Sequence, residues 1–269
     1  MNLLILDAGH AKNTAGKNNV KENFYEWEFN NDMQYKIKTR CQDLGIKVFL
    51  TNPSPSKVSD IPLSTRASLA NDYWLRNSKP KSIFISIHAN AFSNSSDRGT
   101  ETYIAKNAST ISKNFAKVLN DNIVKAMKKL DPNAKDRGVK SENFTVIYKA
   151  AMPSVLVEYA FYSNLDDLKI LKNNKNELVE ATVKAICNYF GVTYKEKTVA
   201  TESKFNGSLY AVCVWWTLSE RSDGGHLPSE IAVISASVGV IPASSRPCSI
   251  RYFLQLMNLV AYFLDIYRS

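Results

Sequence analysis

Two stretches constrain the fold more than any others: Ser82-Ile83-Phe84-Ile85-Ser86-Ile87-His88-Ala89-Asn90 and Pro153-Ser154-Val155-Leu156-Val157-Glu158. Each is almost continuously aliphatic, as a strand covered on both faces must be, and each ends in a side chain that does not belong in a core. Residues 3–6 form a third such run, with 46–50 and 102–104 as shorter companions. Between the runs lie helical patterns over about 26–44, 63–76, 111–130 and 164–190, the last broken near Asn173-Asn174. Apolar strands alternating with amphipathic helices predict an α/β fold: a single, mostly parallel twisted sheet flanked by helices on both faces, plus a small atypical C-terminal segment. Sites in such sheets gather at the carboxyl ends of the strands. The residues just after Leu6, Ile87 and Val157 therefore share one rim, provided these strands run parallel.

Three ionisable groups stand on that rim: His10 in Leu6-Asp7-Ala8-Gly9-His10, His88 and Glu158. Taken singly, each has an ordinary explanation, a hydrogen-bonded histidine or a salt-bridged glutamate. Together they argue for a site, because a buried ionised group is costly unless it is paired, metal-bound or functional. Two neutral imidazoles and one carboxylate around an open position are a common ligand set for catalytic zinc, and such chemistry also needs a further carboxylate as base. The segment Glu22-Asn23-Phe24-Tyr25-Glu26-Trp27-Glu28 offers Glu22, Glu26 and Glu28 at the start of a helix, where a carboxylate suits the dipole. Spacing alone does not choose among them. No H-E-x-x-H, G-x-S-x-G, Walker A or G-x-G-x-x-G sequence occurs, which removes the commonest alternative chemistries.

Charge and composition divide the chain. Residues 1–200 carry 29 Lys+Arg against 20 Asp+Glu, whereas residues 201–269 carry 5 of each. The basic part suits a polyanion, an anionic wall polymer among them, or is simply a lysine-rich solvated surface. All 25 lysines lie at or before Lys204. Residues 193–208 read as a polar linker and 209–269 as an atypical tail. The run 250–267 is interrupted by Arg251, Gln255, Asn258 and Asp265, so a packing helix is expected there rather than a membrane span. Cys41, Cys187, Cys213 and Cys248 are too widely spaced for a thiolate metal site. The N-terminus reads as a first strand and not as a signal peptide, which implies synthesis in the cytoplasm.

The chain resembles the zinc-dependent N-acetylmuramoyl-L-alanine amidases of type 3, the peptidoglycan amidases of autolysins and phage endolysins. The resemblance rests on ordered pieces over residues 1–192: Leu6-Asp7-Ala8-Gly9-His10, Glu26-x-x-x-Asn30, Gly45-Ile46-Lys47-Val48, Ser86-Ile87-His88-Ala89-Asn90-Ala91, Gly99-Thr100-Glu101-Thr102-Tyr103, Arg137-Gly138-Val139 and Met152-Pro153-Ser154-Val155-Leu156-Val157-Glu158. It implies that one Zn2+ is held by His10, Glu26 and His88 and that Glu158 is the catalytic base. It also implies hydrolysis of the amide between the lactyl group of N-acetylmuramic acid and L-alanine, hence cell-wall lysis. Asn90 and Arg137 fall in the matching pieces without a role. Residues 207–214 look like the first strand of a sporulation-related, wall-binding repeat. After Val214 that likeness ends, as an altered reading frame or truncated module would leave it, and His226 has no assigned function.

The partner implied is peptidoglycan, with no nucleic acid and no firm membrane association. The setting implied is release through a holin lesion, as for an endolysin, or lysis of the mother cell after sporulation. The competing readings are a related zinc amidohydrolase or peptidase acting on another wall amide, and a non-catalytic wall-binding protein.

Overall fold

A computed structural model describes residues 2–54 and 60–196 in full, together with the backbone of residues 211–218 and 234–241. The chain divides into two compact units, Met1–Glu196 and Lys197–Ser269. The elements of the first, in order, are β1 (Asn2–Ala8), β2 (Asn18–Asn19), β3 (Phe24–Tyr25), α1 (Glu26–Asp43), β4 (Lys47–Leu50), α2 (Leu63–Arg76), β5 (Lys81–Asn90), β6 (Thr100–Ile104), α3 (Thr110–Leu130), β7 (Asp136–Ser141), α4 (Thr145–Tyr148), β8 (Ser154–Phe161), α5 (Leu165–Asn173) and α6 (Lys175–Phe190).

Six strands form one sheet in the order β4-β1-β5-β8-β6-β7. β4, β1, β5 and β8 are mutually parallel, so the rim expected after Leu6, Ile87 and Val157 exists. β6 runs antiparallel to β8, and β7 runs parallel to β6. The period of two in the strands distributes their side chains between two cores. Leu4, Leu6, Ile85, Ile87, Val155 and Val157 face the larger cluster with α1, α3 and α6. Leu3, Ile5, Phe84 and Leu156 face a smaller one under α2 and α4, built from Ala70, Val146, Ile147 and Met152.

The helices follow from local signals. α1 buries Phe29, Met33, Ile37 and Cys41 at four-residue spacing and carries Glu26 and Glu28 in its first turn, where the dipole favours them. Beyond it, Gly45 turns the chain at φ +75° into β4, a conformation that costs glycine nothing. The Ser109 hydroxyl accepts the Ser112 amide hydrogen at the start of α3. The expected break falls at Asn174, between α5 and α6.

Residues 192–195 stay bound to the first unit. Tyr194 donates its hydroxyl hydrogen to Glu180 Oε2 at 2.6 Å, and Arg40 donates to the Lys195 carbonyl. In the second unit, β9 (Ala211–Leu218) pairs antiparallel with β10 (Ile234–Ile241). The expected helix at 250–267, His226 and the linker from residue 197 to 208 lie outside the described residues. Among the described residues, no helix is long and apolar enough to cross a membrane.

Candidate metal centre

The centre is assembled where β1 and β5 end and α1 begins. After β1, the Gly9 amide donates to the Ile87 carbonyl at 3.0 Å, which carries the ladder one residue further. A methyl group at Gly9 would stand 2.1 Å from His88 Cε1, so only glycine lets the imidazole lie against the backbone here. His10 follows with φ +64°, a left-handed conformation uncommon for a residue with a Cβ. Two amide side chains hold it. Asn52 Nδ2 donates to the carbonyls of Ala8 (2.9 Å) and His10 (3.0 Å), and Asn30 Nδ2 donates to that of Gly9 (3.0 Å). Three consecutive carbonyls are thereby tied to buried amides, which fixes the direction of the histidine.

Beneath the loop lies a buried ionic network. Asp7 accepts hydrogen bonds from Thr51 Oγ1 (2.6 Å), Ser86 Oγ (2.7 Å) and Arg66 Nη1 (3.1 Å), and Arg66 Nη1 also donates to the Ala8 carbonyl. Removing either charge would leave the other unpaired in the core, so the network anchors the end of β1.

Glu26 is the first residue of α1 and is buried. Its Oε1 lies 3.0 Å from His88 Nδ1 and 3.4 Å from His10 Nε2, and it accepts the Ala89 amide hydrogen at 3.2 Å. Burial pushes this carboxyl up. The hydrogen bonds and charges of His10 and His88 outweigh that effect and hold it far below the usual carboxylate range. Burial also pushes the His88 imidazole down, against the pull of Glu26, which favours its neutral form. The two rings meet edge to face with centroids 4.9 Å apart. One ligand atom from each of His10, Glu26 and His88 lies within 4.8 Å of the others. Of the three glutamates offered by the sequence, the structure brings only Glu26 to the histidines. Glu28 is exposed, and Glu22 sits in the turn between β2 and β3.

Glu158 stands beside this group. It pairs in register with His88 on β5 and with Glu101 on β6, so the three side chains form a row across adjacent strands on one face. Its Oε2 is buried without a hydrogen-bond partner among the described residues. Burial first, then the charges of Glu26 and Glu101, pushes its carboxyl well above the usual range. Two imidazoles, an ionised carboxylate and an orphaned carboxyl oxygen fit a divalent cation with a water or substrate atom between them.

Sequence reasoning overlooked Asn52 and gave Arg137 no part. Asn52 was open to detection by the same rule as His10, a polar side chain just past an aliphatic strand. Arg137 donates Nε to Glu101 Oε2 at 2.6 Å and thereby stands next to the row.

A parallel rim that gathers a His-Glu-His donor cluster beside a carboxyl oxygen with no partner among the described residues has the make-up of a metal-dependent hydrolase. Residues 4–188 match the family described as N-acetylmuramoyl-L-alanine amidase. The chain is 29% identical over 199 residues to the endolysin of Bacillus phage SPP1, covering 72% of this chain and 68% of that one. It is 31% identical over 174 residues to the N-acetylmuramoyl-L-alanine amidase LytC of Bacillus subtilis, where 63% of this chain matches 31% of the relative. The catalytic domain of CwlV, an amidase from Bacillus (Paenibacillus) polymyxa var. colistinus, superimposes with a TM-score of 0.61 at 30% identity, over 72% of this chain and all of that domain. The chain belongs to the N-acetylmuramoyl-L-alanine amidase family and is an amidase acting on peptidoglycan.

Proposed function

We propose that the chain hydrolyses the amide between the lactyl group of N-acetylmuramic acid and L-alanine at a zinc ion held by His10, Glu26 and His88, with Glu158 as general base and then general acid. Zinc at such a site polarises a carbonyl and acidifies water. The protein groups do the rest. Asn30, Asn52 and Gly9 fix the ligands before metal arrives, and Glu26 brings the negative charge that two neutral imidazoles lack. Glu158 takes the proton of the attacking water at Oε2 and delivers it to the departing alanine amine. Burial and the neighbouring Glu26 and Glu101 carboxylates raise its proton affinity, which favours the first of these steps, the uptake of the proton.

The observation that carries this reading is the buried, unpartnered Oε2 of Glu158 on the same face as His88. The test is Glu158→Gln on purified wall. We expect the variant to bind zinc as the wild type does, by metal analysis, while release of new N-terminal L-alanine falls by about 10²–10⁴-fold. Retained hydrolysis would remove Glu158 from the mechanism. New reducing sugars, or a different new amine in the wild type, would point to another wall bond.

On this reading the catalytic domain, expected over residues 1–192, runs on to Glu196, the linker is the stretch from there to 208, and 209–269 is an atypical tail, a truncated or frame-altered wall-binding repeat. Peptidoglycan is the partner, with neither nucleic acid nor membrane involved, and the lysine-rich surface faces anionic wall polymers. Action follows synthesis in the cytoplasm and release through a holin lesion or mother-cell lysis.

A further inference from the structure

β7 carries one residue more than β6 opposite it. Thr100 pairs with Asp136 but Glu101 pairs with Gly138, which leaves Arg137 as the bulged residue. A bulge turns a side chain out of the strand's alternation, and Gly138 at φ +73° supplies the left-handed backbone that completes it. Arg137 is thereby aimed at the row of His88, Glu158 and Glu101. Its Nε donates to Glu101 Oε2, and its guanidinium carbon lies 4.8 Å from the centre of the Phe161 ring. Phe161 is three residues past Glu158 on β8. The cation is held by a salt bridge on one edge and by an aromatic face, beside the general base.

What the fork still offers is its outer edge. Nη2 makes no hydrogen bond among the described residues, and Asp97 Oδ1 stands 3.6 Å from Nη1, beyond hydrogen-bond reach. Glu101 is already saturated. Asn90 (2.7 Å) and the Tyr103 hydroxyl (2.8 Å) donate to Oε1, while Arg137 and Lys140 both donate to Oε2. One buried carboxylate thus faces two cations, and Asp97 offsets the second only loosely.

We infer that Arg137, with Lys140 beside it, binds a carboxylate of the stem peptide close to the scissile amide; this rests on the amidase reading above. The glycan side cannot supply the anion, because the only carboxyl group of N-acetylmuramic acid is consumed in the amide. Beyond L-alanine, a dicarboxylic residue that is joined onward through its side-chain carboxyl keeps its α-carboxyl free. Neighbouring strands lie ~4.8 Å apart and an extended residue advances ~3.4 Å, so the step from β8 to the β6–β7 edge spans one or two residues of peptide. The residue after L-alanine then brings its α-carboxyl to the fork, which arginine engages through two parallel hydrogen bonds.

The experiment uses the full chain and two synthetic N-acetylmuramoyl-peptides that differ only in whether the second residue's α-carboxyl is free or amidated. The wild type is expected to cleave the free form with kcat/KM about tenfold higher, the difference lying in KM, as befits a charged hydrogen bond made in ground and transition state alike. In Arg137→Gln the ratio is expected to fall to near one, and Arg137→Lys to keep part of it. Equal kcat/KM on the two substrates in the wild type overturns the inference, as does an undiminished ratio in Arg137→Gln. Cleavage of neither substrate by the wild type sinks the amidase reading and the inference with it.

Discussion

The residue on which the site most depends has no side chain. At Gly9 an added methyl would overlap the His88 ring at 2.1 Å, and His88 has nowhere to go, since Glu26 and Gly9 flank it within the core. Gly9→Ala is therefore expected to weaken zinc binding by about 10–100-fold, read by competition against a chromophoric chelator, because ligand geometry is spoiled without loss of a ligand. Wild-type affinity in this variant would show that the Gly9–His88 contact does not set the site. At this scale the sequence was readable where polarity breaks an aliphatic run, which is how His10, His88 and Glu158 announced themselves. Glu26 was not separable by spacing from Glu22 and Glu28. What singles it out is a distant event: its amide donates to the Lys17 carbonyl, and the β2–β3 turn then decides which glutamate opens α1. Asn52 was passed over for a different reason. An amide past a strand end carries no charge to draw notice, although it fastens two of the three carbonyls around His10.

Among the elements, β6 carries the clearest pH signature. Burial pushes the Glu101 carboxyl up, but hydrogen bonds from Lys140, Arg137 and Tyr103 outweigh it and hold the group below its ordinary value of 4.5. A carboxyl whose folded pKa is depressed contributes stability that is complete above the unfolded value and is lost as pH falls through the folded one. Acid should therefore loosen the β6–β7 edge below about pH 4.5. Denaturant titrations of Glu101→Gln at pH 7 and pH 3 are expected to show a smaller loss across that interval than the wild type shows. An equal loss would mean that Glu101 does not contribute to acid sensitivity. The apolar strands and long helices of this sheet were legible because their periods are set by burial. β7 was not: its sequence, Asp-Arg-Gly-Val-Lys-Ser, lies at an edge and is mostly exposed or half-buried, so no apolar run marks it. The reversal of β6 was equally hidden, since five residues between turns carry no sense of direction.

For the whole molecule, the first unit ends at Glu196, and the contacts of Tyr194 and Lys195 explain why. Residues 1–196 are expected to melt several degrees above residues 1–192 in thermal denaturation, since the shorter form loses two hydrogen bonds worth about 1 kcal/mol each, and each kcal/mol moves a domain of this size by about 2–4 °C. Coincident melting would place the true end of the fold earlier. A last consequence follows from the pairing of His88 with Glu158 on neighbouring strands. On the proposed reading, a metal donor and the proton-transferring acid share a single rung of one ladder, with no joint between them. They cannot be drawn apart without tearing the sheet, so the pair has no disengaged posture to rest in. Control of such an enzyme therefore has to act on access to this rung and not on the spacing across it.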